Sequence, residues 1–264
     1  KKIVIVGSGD IGLIMARRLT LEGAEVLGVY EVKPEPSGLE RNIAQCLTDY
    51  NIPLHLSCTV KTVLGKDRVT GVTVVQVNEK GNEIPGTEVY IACDCLILSV
   101  GLIPENEIAQ TLNVPLDAST KGPFVDQSMH TLVDGVFACG NAVHVHDLVD
   151  YVSESGEIAG KSAALWVREK KSRVLSMFAH DDNLLYHVPQ YINTNLKDAV
   201  PVFFRTKKTY TTKTSVCLLQ KYTGTSVSLK TYAGLRPSEM EKIVINDVSQ
   251  VINNAVLGLE EIHE

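Results

Sequence analysis

An α/β architecture, with a parallel sheet covered by helices and a β-rich segment behind it, follows from three features of this 264-residue sequence. Short β-branched apolar runs alternate with helical patterns over the first hundred residues. A glycine-rich turn joins the first run to the first helix, and the composition changes after residue 170. Hydrophobic residues make up 44% and charged residues 21%, which excludes wholesale disorder. The formal net charge of −6 and the lack of a basic stripe argue against a nucleic-acid partner. No run approaches the ~20 apolar residues of a membrane helix, so no membrane span is expected. Six cysteines without a Cys-x-x-Cys pattern fit reduced thiols and a cytoplasmic location. The chain opens on a lysine that leads straight into a core strand, so a longer parent protein is expected.

The elements follow in order. Lys2 to Val6 reads as a buried strand stopped by glycine, and residues 11–22 as a helix with Leu13, Ile14, Ala16 and Leu19 on its apolar face, ended by Gly23. Residues 24–30 form the next strand, 33–38 a Pro/Gly loop, 39–50 a helix and 54–60 a third strand. From Val69 the alternation becomes antiparallel: 72–77 runs out, 79–82 turns and 87–92 returns. Residues 95–99 complete the parallel sheet and end at Val100-Gly101. Residues 104–170 hold a helix, a short strand at 135–139 and a second helix at about 154–169.

Charge then shifts, from 14 Lys and Arg against 22 Asp and Glu in residues 1–170 to 11 against 9 in 171–264. Strands around Val202-Phe203-Phe204, 215–218 and 226–229 predict a β-sandwich-like appendage. Residues 236–241 read as a turn into a strand, and 247–259 fit no single element. The expected domains are 1–103, 104–170 and 171–264.

Gly7-Ser8-Gly9-Asp10-Ile11-Gly12 has the context of a dinucleotide site: a strand before it, a helix after it, and the acid Glu31 19 residues beyond Gly12. Gly7 permits the tight turn, Gly9 lets backbone approach a pyrophosphate, and Gly12 allows close helix–sheet packing. The helix N-terminus aims free N–H groups at phosphate, and Glu31 accepts ribose hydroxyls while repelling a 2′-phosphate. This predicts a Rossmann-like domain with an inserted β-meander that prefers NAD over NADP. His144-Val145-His146 also has the form of a metal pair, but nothing else offers matched ligands, and no metal is expected.

Two later motifs extend the pattern: Gly101-Leu102-Ile103-Pro104-Glu105-Asn106, then Val136-Phe137-Ala138-Cys139-Gly140-Asn141. Over about residues 1–170 the three motifs, in this order, resemble the FAD-dependent pyridine nucleotide-disulfide oxidoreductase superfamily. Within it the chain looks most like the NAD(P)/FAD subunits that accompany glycerol-3-phosphate, opine and amino-acid dehydrogenases. The resemblance implies NAD and FAD as cofactors, a small-molecule redox substrate and a partner dehydrogenase subunit or carrier.

By the same resemblance, residues 1–103 are the NAD domain and 104–170 the closing half of a FAD domain whose first half is not in this chain. It further implies cofactor contacts at Val100, Gly101, Gly140, Asn141, His144, His146 and Asp147. Asn141 stands where the family has an aspartate. The following helix would point its N-terminus at the flavin pyrimidine. Asp10 stands where many relatives carry an aromatic that gates the nicotinamide pocket. Cys139 reads as a small buried strand residue, and no catalytic side chain is assigned. Two alternatives stay open: a non-catalytic NAD(H)-binding regulatory module, and a first glycine motif that binds FAD itself.

Overall fold

The computed structural model describes residues 1–220, 224–251 and 255–262, which fall into two compact units, Lys1–Leu102 and Ile103–Glu264. In the first unit β1 (Lys2–Val6), α1 (Asp10–Leu21), β2 (Glu25–Tyr30), α2 (Glu40–Cys46) and β3 (Leu54–His55) come in the expected order. A meander of β4 (Cys58–Leu64), β5 (Gly71–Gln76) and β6 (Val89–Ile91) precedes β7 (Cys95–Leu98). The parallel sheet has the order β3-β2-β1-β7, and the antiparallel meander β4-β5-β6. Strand alternation assigns the layers. Ile3 and Ile5 pack with Leu13, Ala16, Cys46 and Leu47 on the helical face, while Val4 packs with Val72, Val74 and Cys93 of the meander side.

Two expectations need correction here. The strand expected at 54–60 is split, because Ser57 takes φ +52 and turns the chain out of the parallel sheet, so residues 58–60 begin the meander. The helix expected at 39–50 stops at Cys46 and ends in a 3-10 turn, Thr48–Tyr50.

The second unit contains α3 (Glu107–Thr111) and the long α4 (Val149–Glu169), then β8 (Leu175–Met177), β9 (Ala179–His180), β10 (Leu184–Val188) and β11 (Tyr191–Asn193). β12 (Val200–Thr206), β13 (Thr214–Gln220), β14 (Ser226–Tyr232), β15 (Glu241–Ile245) and β16 (Ala255–Glu261) complete it. Three sheets have the orders β10-β12-β15, β14-β13-β16-β9 and β11-β8. Their core holds Phe178, Val202, Phe204, Val216, Leu218, Ile243 and Leu257. Residues on both sides of position 170 share another cluster, with Val125, Met129, Val143 and Ala159 against Tyr186 and Val188.

The strand expected at 135–139 reduces to a single bridge between His130 and Phe137, and Cys139 is exposed instead of buried in a strand. The undecided stretch 247–259 contains a 3-10 turn, Val248–Gln250, and most of β16, while 252–254 lie outside the described residues. Among the described residues no helix is long and apolar enough to cross a membrane.

Candidate functional site

The carboxyl ends of β1, β2 and β7 share one edge of the parallel sheet, where ligands of such sheets bind. Gly7 N–H donates to Tyr30 O at 2.7 Å and Ser99 N–H to Val6 O at 2.7 Å, so the sheet pairing runs up to the motif itself. Each glycine meets a separate demand. Gly7 sits at φ +94, and a Cβ there would lie 2.0 Å from Ser99 O. At Gly12 a Cβ would lie 2.7 Å from Gly7 O and 2.8 Å from Ser99 Cβ, so glycine is what lets α1 close on the strands. Gly9 is different: its φ is −66°, and a Cβ would meet only Ser99 Oγ, at 4.0 Å. The fold therefore does not require glycine at position 9. Gly9 is also the N-cap of α1, without a side-chain cap, and the helix offers its first-turn N–H groups no acceptors.

Beside this turn lies a cleft of about 400 Å³, lined by Val6, Gly7, Gly9, Glu31, Val32, Lys33, Ser37, Thr59, Ser99, Val100 and Gly101. Glu31 is only 4% exposed. Its Oε2 accepts from Ser8 N (3.0 Å), Ser8 Oγ (2.6 Å) and Ser37 Oγ (3.1 Å), and its Oε1 from Lys33 N (3.0 Å). Burial alone would push its carboxyl up; the hydrogen bonds from Ser8, Lys33 and Ser37 outweigh that and hold it below the ordinary value. Asp10 is engaged within the fold, accepting from Leu39 N (2.9 Å) and Asn42 Nδ2 (2.7 Å), while Ile11 is exposed on the first turn. Val100 is exposed beside the cleft, and Gly101 needs glycine for its φ of +95°.

The second unit builds its own turn. Gly140 opens a 3-10 turn, Gly140–Ala142, at φ +62, and its N–H donates to Ser155 Oγ on α4 at 2.8 Å. The neighbouring segment fixes this turn in place. Asn106 Nδ2 donates to Ala142 O (2.8 Å) and Lys121 O (3.1 Å), and a Cβ on Gly122 would lie 1.9 Å from Val143 O. Asn141 is exposed, and its Oδ1 accepts from His146 N (3.1 Å).

The next three expected contacts are engaged by neighbours in the chain, two by packing and one by polar bonds. His144 and His146 are buried with ring centroids 4.1 Å apart, beside Phe203, and His144 also meets Tyr186. Burial, then the His146 ring and Arg205, push His144 down to about 3, and burial lowers His146 as well. Asp147 pairs with Arg205 and accepts from Met240 N at 2.6 Å. α4 begins without a side-chain cap. Among the described residues no group of three or more His, Cys, Asp or Glu could hold a metal ion.

Against known proteins, the family model described as pyridine nucleotide-disulphide oxidoreductase matches residues 1–164. The chain belongs to this family. Its relatives include an NADH oxidase of Methanocaldococcus jannaschii, 28% identical over 183 residues, 62% of this chain and 37% of that protein. A ferredoxin–NADP reductase of Ignicoccus hospitalis is 28% identical over 63% of this chain and 52% of its own length. Thioredoxin reductase from T. acidophilum superposes with a TM-score of 0.50 at 26% identity, over 65% of this chain and 53% of its own. The Lactococcus lactis enzyme, at 20% identity and a TM-score of 0.54, shows the same fold. The chain spans about half or less of the length of these proteins.

Sequence reasoning missed Ser99, against which both Gly7 and Gly12 pack, and Ser37 and Thr59 in the cleft wall. Ser99 had a signal, as the last residue of the expected strand before Gly101. Ser37 and Thr59 arrive by the path of a loop and by the meander, and carry none.

Proposed function

We propose that this chain supplies the NAD(H) site and part of the FAD site of a flavin-dependent oxidoreductase whose electrons are exchanged with a partner dehydrogenase or carrier. The observation that carries this reading is the cleft at the carboxyl edge of the sheet, where Gly9 leaves room that the fold itself does not use. The residues fit a dinucleotide: a tight turn at Gly7, an uncapped helix N-terminus for the pyrophosphate, and an ionised acid beside the cleft. NAD is the preferred nucleotide because a fixed carboxylate at Glu31 repels a 2′-phosphate. The relatives' own names carry both NADH and NADP, so the preference rests on this residue.

In the second unit Gly140 and Asn141 would hold the flavin, with His144, His146 and Asp147 bracing the segment against the β-rich strands. The uncapped N-terminus of α4 favours the negative charge that develops on a reduced flavin pyrimidine. When bound, the cofactors would supply the hydride-transfer chemistry. The chain's own work is to fix the nucleotide's phosphates and ribose and to place charge. A cytoplasmic setting, in keeping with six free cysteines, belongs to the same proposal.

The test is the visible absorption spectrum of the protein with FAD, then with NADH under anaerobic conditions. A protein-bound flavin band bleached by NADH is expected. NADH binding without any flavin uptake would leave only the nucleotide-binding half of the proposal.

A further inference from the structure

The hydrogen bonds around Glu31 set how much of a ribose it can hold. An ionised carboxylate only accepts, and each oxygen takes a further donor only from a direction its surroundings leave open. Oε2 already receives three donors, Ser8 N, Ser8 Oγ and Ser37 Oγ, whereas Oε1 receives only Lys33 N. Ser8 is fully buried and does not line the cleft; Ser37 does line it. Of the donors on Oε2, the Ser37 hydroxyl is therefore the one on the cleft side. We propose that Glu31 accepts a single hydroxyl of the adenosine ribose, and that Ser37 sets this limit because its Oγ takes the position a second ribose hydroxyl would use. Ser37 is thus a specificity-determining residue. This inference rests on the reading that the cleft binds NAD(H).

The loop does not depend on the hydroxyl that is being tested. Ser37 N–H donates separately to Ser8 Oγ at 2.8 Å, Lys33 N–H holds Oε1, and Leu39 N–H is held by Asp10. Removing Ser37 Oγ alone therefore leaves the loop path in place and opens the cleft side of Oε2.

The experiment is isothermal titration calorimetry of the full chain with NAD⁺ and with its adenosine 2′-deoxy and 3′-deoxy analogues. In the unaltered chain one analogue binds within about twofold of NAD⁺ and the other about tenfold or more weaker, the loss expected for one hydrogen bond to a charged group. In Ser37→Ala both analogues are weakened about tenfold relative to NAD⁺, because two hydroxyls are now read. Ser37→Thr, which restores a hydroxyl, returns the one-analogue pattern. Two analogues weakened alike in the unaltered chain, or neither weakened, would overturn the inference while leaving NAD binding intact. A Ser37→Ala pattern identical to that of the unaltered chain would also overturn it. Failure of NAD⁺ itself to bind would remove the underlying reading and the inference together. Should Ser37→Ala fold poorly by circular dichroism, the two analogues on the unaltered chain still decide.

Discussion

The polar residues beside the two glycine turns meet opposite fates. Around Gly7–Gly12, the acid picked out by the sequence stands at the wall of an open cleft of about 400 Å³. Around Gly140, the comparable polar residues are taken up by the fold: His144 and His146 are buried beside Phe203, and the exposed Asp147 is tied to Arg205 and Met240. The glycines themselves behave alike, since Gly7 and Gly140 both take positive φ. At these two positions glycine answers a demand of the backbone, and that demand is local. A polar side chain next to a motif serves either a ligand or the fold, and what it lines and what it is bonded to, not its sequence position, tells which.

The largest effects should come from adding a methyl where backbone already stands. Gly7→Ala in the first unit and Gly122→Ala in the second would each bring Cβ within 2.0 Å of a carbonyl oxygen. Both should exceed the roughly 1–3 kcal/mol of ordinary overpacking, measured by urea unfolding. In hydrogen exchange each loss of protection should begin in the unit that carries the change. Loss of protection in the other unit alone would contradict the assignment of these turns.

Acid should separate the units next. His144 is held near 3 by burial, against 6.5 for a free histidine, and burial holds His187 near 3 as well. Their folded values are depressed, so the unfolded chain binds more protons between pH 6.5 and about 3, and stability is lost as pH falls through that window. For His144 alone the loss between pH 7 and 5 is about 2 kcal/mol. Glu31 is also depressed, but from 4.5, so its contribution stays whole until pH falls below that value. Fluorescence of Trp166, the single tryptophan and a second-unit residue, should therefore report destabilisation at pH 5 while NADH binding persists. A second unit equally stable at pH 7 and pH 5 would contradict the buried neutral histidines.

The smallest effect is expected from Ser8→Ala, which removes one of three donors to Glu31 Oε2. It should cost about 1 kcal/mol in thermal unfolding and raise the pH at which Glu31 takes up its proton.

Much of the first unit was legible because short strands and an amphipathic helix have distinct periods, and α1 lies within one residue of its expected span. The break at Ser57 was hidden because residues 58–60 keep the β-branched composition of a continuing strand while the chain changes sheet. α4 starts at Val149, earlier than expected, since Val149, Tyr151 and Val152 are poor helix formers that this helix nevertheless includes. Position 31 was legible from its spacing after Gly12. Its neighbours were not, because Ser37 and Thr59 reach the cleft only through the path of the folded chain.

The most direct measurement is a fluorescence titration of NADH against the unaltered chain and Gly9→Ala. The added methyl meets nothing closer than Ser99 Oγ at 4.0 Å, so the variant should fold and melt as the unaltered chain does. If the pyrophosphate lies against this backbone, NADH affinity should nonetheless fall by about tenfold or more. A folded Gly9→Ala that binds NADH as tightly as the unaltered chain would contradict the placement of the nucleotide in this cleft.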